Sequence, residues 1–105
     1  MVLALWDSEE DGLVGSRYYT LNPIVPLAQT KGYVNFDIQG SDLLPSLSRS
    51  TFAVGAETGG SALQAFVGEA DAAETAVDVH LLSYIFGQGR SDYANLVAKG
   101  VPTVF

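Results

Sequence analysis

Residues 2–16 read VLALWDSEEDGLVGS, in which five apolar residues are followed by five polar ones and then by a segment of helical composition. The continuous apolar run Val2–Trp6 predicts a strand that is buried on both faces of a sheet. Ser8 and Asp11 approximate a capping box, so a helix is predicted to follow over residues 12–21. A buried strand that leads into a helix is typical of an α/β protein.

The rest of the sequence continues this alternation of strands and helices. Strands are predicted at residues 32–38, 51–56, 77–86 and 101–105, and helices at residues 61–70 and 92–99, with Ser91 as the N-cap of the last helix. The link between residues 38 and 51 contains no clear helix, so the strands that it joins could be antiparallel. We therefore expect one layered α/β domain over residues 1–105, with a mostly parallel or mixed sheet and flanking helices.

The composition fits a globular domain with few charged groups. The chain has 105 residues, of which 48% are hydrophobic and 16% are charged, and its formal net charge is −7. Nucleic-acid binding requires a positively charged surface, and the excess of acidic over basic residues does not provide one. An anionic membrane surface would repel the chain for the same reason. Since there are no cysteines, disulfides and thiolate metal sites are excluded. We expect neither nucleic acid nor a membrane as a partner.

Both ends of the sequence lie in predicted strands, namely Val2–Trp6 and residues 101–105. No apolar run approaches the roughly 20 residues that span a bilayer. No basic segment precedes the first apolar run, so no signal peptide is predicted and the localisation stays unassigned. Because both ends look like cuts through a larger sheet, we expect the chain to be a fragment of a larger domain.

Polar side chains follow the ends of three predicted strands. They are Asp7, Ser8, Glu9 and Glu10 after the first strand, Asp37 at the end of the second, and Ser91 and Asp92 after the fourth. Sites in open α/β sheets form beyond the carboxyl ends of the strands. Several carboxylates at one edge repel each other unless a cation or protons neutralise them, and a divalent metal does so most simply.

These residues also have ordinary structural interpretations. Asp37 interrupts an apolar strand, where a buried charge needs a partner or a metal, but strand alternation could equally direct it to solvent. Glu9, Glu10 and Asp92 could simply complement helix dipoles as acidic residues of a first turn. The single histidine, His80, lies inside a predicted strand, and we interpret it as structural and not as a ligand.

Three segments together resemble one known family. Residues 4–16 are similar to the core motif of two-zinc aminopeptidases, residues 34–40 (VNFDIQG) to their next metal-binding strand, and residues 89–93 with 100–102 to a segment near their C-terminal end. These enzymes are the bacterial leucyl aminopeptidase and glutamate carboxypeptidase-like members of metallopeptidase family twenty-eight. The segments occur in the order of the family, so the resemblance implies a truncated zinc-exopeptidase domain that spans most of the chain.

The resemblance implies a role for each candidate residue. Glu9 matches the general base that activates a metal-bound water, Glu10 matches a ligand of one zinc ion, and Asp37 matches a ligand of the other. Supporting positions beside the site are Asp7, Ser91 and Asp92. Members of the family usually remove N-terminal residues from peptides, so the implied substrate is a peptide. The resemblance also implies zinc as the cofactor, with two ions bound in the family.

The resemblance also implies ligands that this sequence does not contain. The family site uses a histidine and a bridging aspartate before the first strand, and a final histidine with a neighbouring tyrosine after the last one. His80 is not at a matching position. Because catalytic zinc usually has three protein ligands, we expect the isolated chain to be inactive unless another chain completes it.

Two other interpretations stay open at the level of the sequence. The chain could be a non-catalytic interaction module that has kept the α/β fold and forms a homodimer through exposed sheet edges or an uncovered apolar face. It could also be a small acidic domain whose carboxylates only cap helices.

Overall fold

The computed structural model of the chain describes residues 1–38 and 44–105. The helices are α1 (Val14–Leu21), α2 (Ser61–Ala73) and α3 (Tyr93–Val97), and the strands are β1 (Tyr33–Val34), β2 (Ser50–Val54), β3 (Asp78–Leu82) and β4 (Thr103–Val104). Helices and strands therefore alternate as predicted from residue 12 onward. Residues 39–43 of the link between residues 38 and 51 lie outside the described residues.

The described strands form two parallel sheets of two strands each. β1 pairs with β4 in parallel, and β2 pairs with β3 in parallel from Ser50 opposite Asp78 onward. Val54 and Phe105 exchange two backbone hydrogen bonds, of 2.9 and 3.0 Å, which is the pattern of an antiparallel pair. These bonds connect the end of β2 to the residue after β4, and the predicted α/β class with mostly parallel strands is confirmed.

Helix α2 connects β2 to β3 and covers one face of the sheet. Leu63 and Val67 lie on the same side of the helix because residues at i and i+4 share a face. Both side chains are buried in a cluster with Ala53, Ala56 and Val104. This cluster is the main apolar core, and it holds α2, β2 and β4 together.

Helices α1 and α3 pack against each other beside β1 and β4. Leu96 on α3 is 2% exposed, and Ser16 on α1 is fully buried. The Asn95 side-chain amide donates to the Ser16 hydroxyl at 2.8 Å and to the Leu13 carbonyl at 3.3 Å. These bonds fix α3 against the beginning of α1, and they bring the loop before α1 close to the loop before α3.

The predicted first strand, Val2–Trp6, is wrong. Residues 1–8 have no regular secondary structure, and no backbone hydrogen bond joins residues 2–6 to another part of the described chain. Leu3 and Leu5 are 88% and 93% exposed. An apolar run shows only that a segment suits a pleated, buried surface, and a strand exists only where a second strand accepts its hydrogen bonds.

The fourth predicted strand is shorter than expected. β3 ends at Leu82, whereas the β-branched and aromatic composition predicted a strand to residue 86. A 3-10 turn takes over at Tyr84–Phe86, and the Ser83 hydroxyl accepts a hydrogen bond from the Ile85 amide at 3.4 Å. A serine that bonds to the nearby backbone competes with the ladder, so it ends the strand.

The last helix is also shorter than the predicted span of residues 92–99, since α3 covers only Tyr93–Val97. Among the residues that the structure describes, no helix has the length and apolarity required to cross a bilayer.

Candidate metal centre

The acidic loop before α1 is folded back onto the start of the helix. The carbonyl oxygens of Asp7, Ser8 and Glu9 accept hydrogen bonds from the amides of Gly15, Val14 and Leu13, at 3.0, 3.2 and 2.9 Å. The backbone of the loop therefore satisfies the first amides of α1, which would otherwise lack partners. The loop turns sharply to do this, since Ser8 has a φ of 56° and Leu13 a φ of 59°.

This arrangement corrects two expectations for the loop. The N-cap position of α1 is Leu13, with no side-chain cap, so the capping box of Ser8 and Asp11 does not form. No acidic residue lies in the first turn of α1, so Glu9 and Glu10 precede the helix instead of complementing its dipole as first-turn residues. The capping interpretation of the two glutamates is therefore wrong.

Asp37 lies just beyond β1, in a segment that stays aligned with β4. The Asn35 amide donates to the Val104 carbonyl at 2.8 Å, which extends the ladder past the end of β1. The Asp37 side chain is half-buried, and its Oδ2 atom accepts a hydrogen bond of 2.7 Å from the Ser91 hydroxyl. Asp37 is thus turned toward the loop before α3, and the next residue, Ile38, has a φ of 53°.

Ser91 does not act as the predicted N-cap of α3. The N-cap position is Asp92, which makes no side-chain cap hydrogen bond. The Ser91 hydroxyl instead accepts from the Asn35 side-chain amide at 3.0 Å and donates to Asp37. Because Asn35 and Ser91 are both buried, with exposures of 6% and 3%, they satisfy each other inside the protein.

Asp92 carries a buried oxygen without a partner. The residue is 6% exposed, and its Oδ1 atom makes no hydrogen bond to the described residues. A buried carboxylate oxygen in this state requires a donor or a cation. The chemistry of this position therefore fits a positively charged group in the adjacent cavity.

The candidate carboxylates share one cavity and influence each other. They line a cavity of about 1120 Å³ together with apolar side chains of the N-terminal segment and β1; its polar members include Glu9, Glu10, Asp37, Ser91 and Asp92. Partial burial of Glu9, followed by the negative charges of Glu10, Asp37 and Asp92, raises the pKa of the Glu9 carboxyl above its usual value. The structure thus brings together residues from three separate loops.

The residues in this cavity do not by themselves make a complete metal site. Within residues 1–38 and 44–105, no group of three or more histidine, aspartate or glutamate side chains is close enough to hold a metal ion. His80 lies on the exposed side of β3, where its Nε2 atom contacts the Ser50 hydroxyl at 3.0 Å. The donor types fit zinc, whereas the number of donors falls short of the three that catalytic zinc usually requires.

Sequence reasoning missed two residues of this region, Tyr33 and Trp6. The Trp6 indole Nε1–H donates to the Tyr33 hydroxyl at 2.8 Å, and that hydroxyl donates to the Asn35 side-chain oxygen at 2.6 Å. Tyr33, Asn35 and Asp37 are two residues apart, so an extended backbone places them on one face. This alternation of polar groups in an apolar segment was the signal that could have identified Tyr33, whereas no local pattern indicates the bond from Trp6.

The carboxylates that line one cavity beyond the end of β1 make this region of the α/β domain a candidate metal centre. The family model described as Peptidase family M28 matches residues 1–105, and the chain therefore belongs to this peptidase family. The family is generally zinc-dependent. The resemblance stated from the three sequence segments is thus confirmed at the level of the family.

A curated relative supports this assignment over a short segment. Leupeptin-inactivating enzyme 1 from Streptomyces exfoliatus is 51% identical to the chain over 37 residues, which is 34% of this chain and 8% of that enzyme. The chain therefore spans only a small part of that relative. No solved structure matched the chain significantly.

Proposed function

We propose that the chain supplies part of the catalytic site of a zinc-dependent exopeptidase that removes N-terminal residues from peptides. In this proposal Glu10 and Asp37 each ligate one zinc ion, and Glu9 is the general base. The observation that supports this proposal most directly is the shared cavity, in which the negative charges of the other carboxylates help to raise the pKa of Glu9. Asp7, Ser91 and Asp92 support the site from the adjoining loops.

The residues suit this division of roles. Bound zinc lowers the pKa of a coordinated water and polarises a carbonyl group. Glu9 has a raised pKa, so its carboxylate is a better proton acceptor than an ordinary glutamate, and it can pass the proton to a leaving amine. Glu10 is the next residue after Glu9, in a loop whose backbone is hydrogen-bonded to the start of α1. Two consecutive side chains in such a loop can point in different directions, so one can bind zinc while the other accepts a proton.

The proposal includes the inactivity of the isolated chain. Glu10 and Asp37 provide two carboxylate ligands, and the missing ligands have to come from other residues or from a completing chain. We therefore expect no measurable turnover of leucine p-nitroanilide by the chain, with or without added zinc. Stoichiometric tight zinc binding together with robust turnover by the monomer would contradict this expectation.

A zinc titration tests which residues contribute to the site. We expect Glu10→Ala and Asp37→Ala to weaken zinc binding in isothermal titration calorimetry, because each removes a ligand. Glu69→Ala is the matched control, since it removes one exposed acidic charge from α2, outside the residues that line the cavity. If the control weakens binding as much as the two site variants, zinc is held by the overall negative charge and not by the proposed ligands.

A second candidate function is a self-associating module. The exposed apolar side chains support it, since Leu3, Leu5, Phe36 and Ile38 are between 76% and 93% exposed. Sedimentation velocity separates the two candidates. A stable homodimer that shows no zinc binding would favour the module, whereas a monomer that binds zinc through Glu10 and Asp37 would favour the peptidase segment.

A further inference from the structure

A chain of hydrogen bonds runs through the protein from Trp6 to Asp37. Trp6 donates to Tyr33 at 2.8 Å, and Tyr33 donates to Asn35 at 2.6 Å. Asn35 then donates to Ser91 at 3.0 Å, and Ser91 donates to Asp37 at 2.7 Å. We call these five residues the donor chain. It connects the N-terminal segment, the β1 region and the loop before α3.

The direction of the donor chain is fixed at both ends. An indole N–H can only donate, so the Tyr33 oxygen accepts from Trp6 and its own proton goes to Asn35. An ionised carboxylate can only accept, so the Ser91 proton goes to Asp37. Every bond in between is consequently oriented toward Asp37, and bonds aligned in this way polarise and strengthen one another.

The donor chain also links the loops that carry the candidate ligands. Trp6 lies in the same segment as Glu9 and Glu10, and its ring packs on Tyr19 of α1, with ring centroids 5.2 Å apart. Its bond to Tyr33 ties this segment to the strand that precedes Asp37. A shift at Trp6 would therefore change the separation between the loop of Glu10 and the segment of Asp37.

From this connectivity we infer that Tyr33 and Trp6 are positioning residues for Asp37. Trp6 bonds to Tyr33 and Tyr33 bonds to Asn35, while Asn35 bonds to Ser91, which holds the Asp37 Oδ2 atom. A group that hydrogen-bonds to a metal ligand fixes the orientation of that ligand. Loss of such a group typically weakens metal binding by roughly 10- to 100-fold. This inference rests on the proposed role of Asp37 as a zinc ligand.

The main test compares Tyr33→Phe with Tyr84→Phe. Each variant removes one half-buried phenol hydroxyl that makes two hydrogen bonds, but the Tyr84 hydroxyl bonds only to the backbone of Thr103 and lies outside the donor chain. Both variants should lower the unfolding midpoint. In a calorimetric titration with zinc chloride we expect Tyr33→Phe to weaken binding by about 10-fold and Tyr84→Phe to leave it unchanged.

A second measurement covers the case in which Tyr33→Phe does not fold. Trp6 is the single tryptophan, so its indole N–H gives one assignable proton resonance in NMR spectra. Zinc should shift this resonance in the unaltered chain. Trp6 also lines the cavity, so zinc can shift its resonance directly as well as through the donor chain. Ser91→Ala interrupts the donor chain beside Asp37 but leaves the bond between Trp6 and Tyr33 in place, so the zinc-dependent shift should be smaller in that variant.

The outcomes separate this inference from the proposed function. If Asp37→Asn abolishes zinc binding but Tyr33→Phe binds zinc as tightly as the unaltered chain, the positioning role is wrong and the proposed ligand stands. A Trp6 shift that has the same size in Ser91→Ala as in the unaltered chain also overturns the positioning role. If Asp37→Asn leaves zinc binding unchanged, the proposed function fails, and the positioning role fails with it.

Discussion

Single residues around the cavity combine burial with negative charge. Asp92 is almost completely buried and has a carboxylate oxygen without a hydrogen bond, while Glu9 has a raised pKa because of partial burial and three neighbouring acids. Asn35, also buried, is by contrast satisfied through Ser91 and Tyr33. Uncompensated buried charge costs free energy of folding, and such sites are often functional ones.

The unpartnered oxygen of Asp92 predicts that neutralising this residue stabilises the chain in the absence of zinc. Asp92→Asn keeps the shape of the side chain and removes a buried charge, so we expect the free energy of unfolding to rise by about 1 kcal/mol. Urea denaturation in a chelating buffer measures this. A variant less stable than the unaltered chain would show that Asp92 is already compensated.

Tyr33 predicts a loss of stability in alkaline solution. Burial, with smaller contributions from Asp92 and Asp37, raises the pKa of the Tyr33 hydroxyl above its usual value of 10.0, although the hydrogen bond from Trp6 opposes this. The folded chain therefore binds this proton more tightly than the unfolded chain does. The stabilisation is complete below pH 10.0, and it is lost as the pH rises through the pKa of the folded state.

Urea denaturation between neutral pH and about pH 11 checks the Tyr33 prediction. The unaltered chain should lose more free energy of unfolding over this interval than Tyr33→Phe does. Equal losses would mean that Tyr33 titrates alike in the folded and unfolded states. Tyr84→Phe serves as the control, because Tyr84 is also half-buried but does not line the cavity of the carboxylates.

At the level of elements, the sequence predicted most helices and strands but not their partners. Helix α2 follows from composition, and its Leu63 and Val67 face the core as the helical period requires. The segment Val2–Trp6 has equal strand character, yet it finds no neighbouring strand in the described chain. Ser91 resembled an N-cap, but the buried Asn35 lies opposite it in the fold and takes its hydroxyl. Whether a segment forms a strand, or a serine caps a helix, thus depends on residues that are distant in the sequence, and the local sequence does not reveal them.

The contact between α1 and the acidic loop predicts opposite effects for two helical glycines. A Cβ atom on Gly15 would lie 2.7 Å from the Asp7 carbonyl oxygen, so Gly15→Ala should push the loop away and cost about 1–3 kcal/mol. Gly68 in α2 has open space around it, so Gly68→Ala should stabilise the chain by about 0.5–1 kcal/mol. Thermal unfolding of both variants checks this, and equal effects would contradict the close packing of the loop.

At the scale of the whole molecule, the chain joins an ordinary apolar core to a cavity that carries four carboxylates among apolar side chains. The core lies under α2, whereas the candidate site lies where three loops meet beside α1 and α3. Glu9, Glu10 and Asp37 could be identified from the sequence because their motifs resemble those of a known family. The donor chain could not, since it depends on contacts between residues as far apart as Asn35 and Ser91.

An anomalous difference map, recorded at the zinc edge from a crystal of the chain grown with zinc, shows whether Glu10 and Asp37 ligate zinc. We predict a peak in the cavity, with an oxygen of Glu10 or Asp37 about 2.0–2.2 Å away. A peak at His80 alone, or Glu10 and Asp37 pointing away from a zinc ion bound elsewhere, would contradict it.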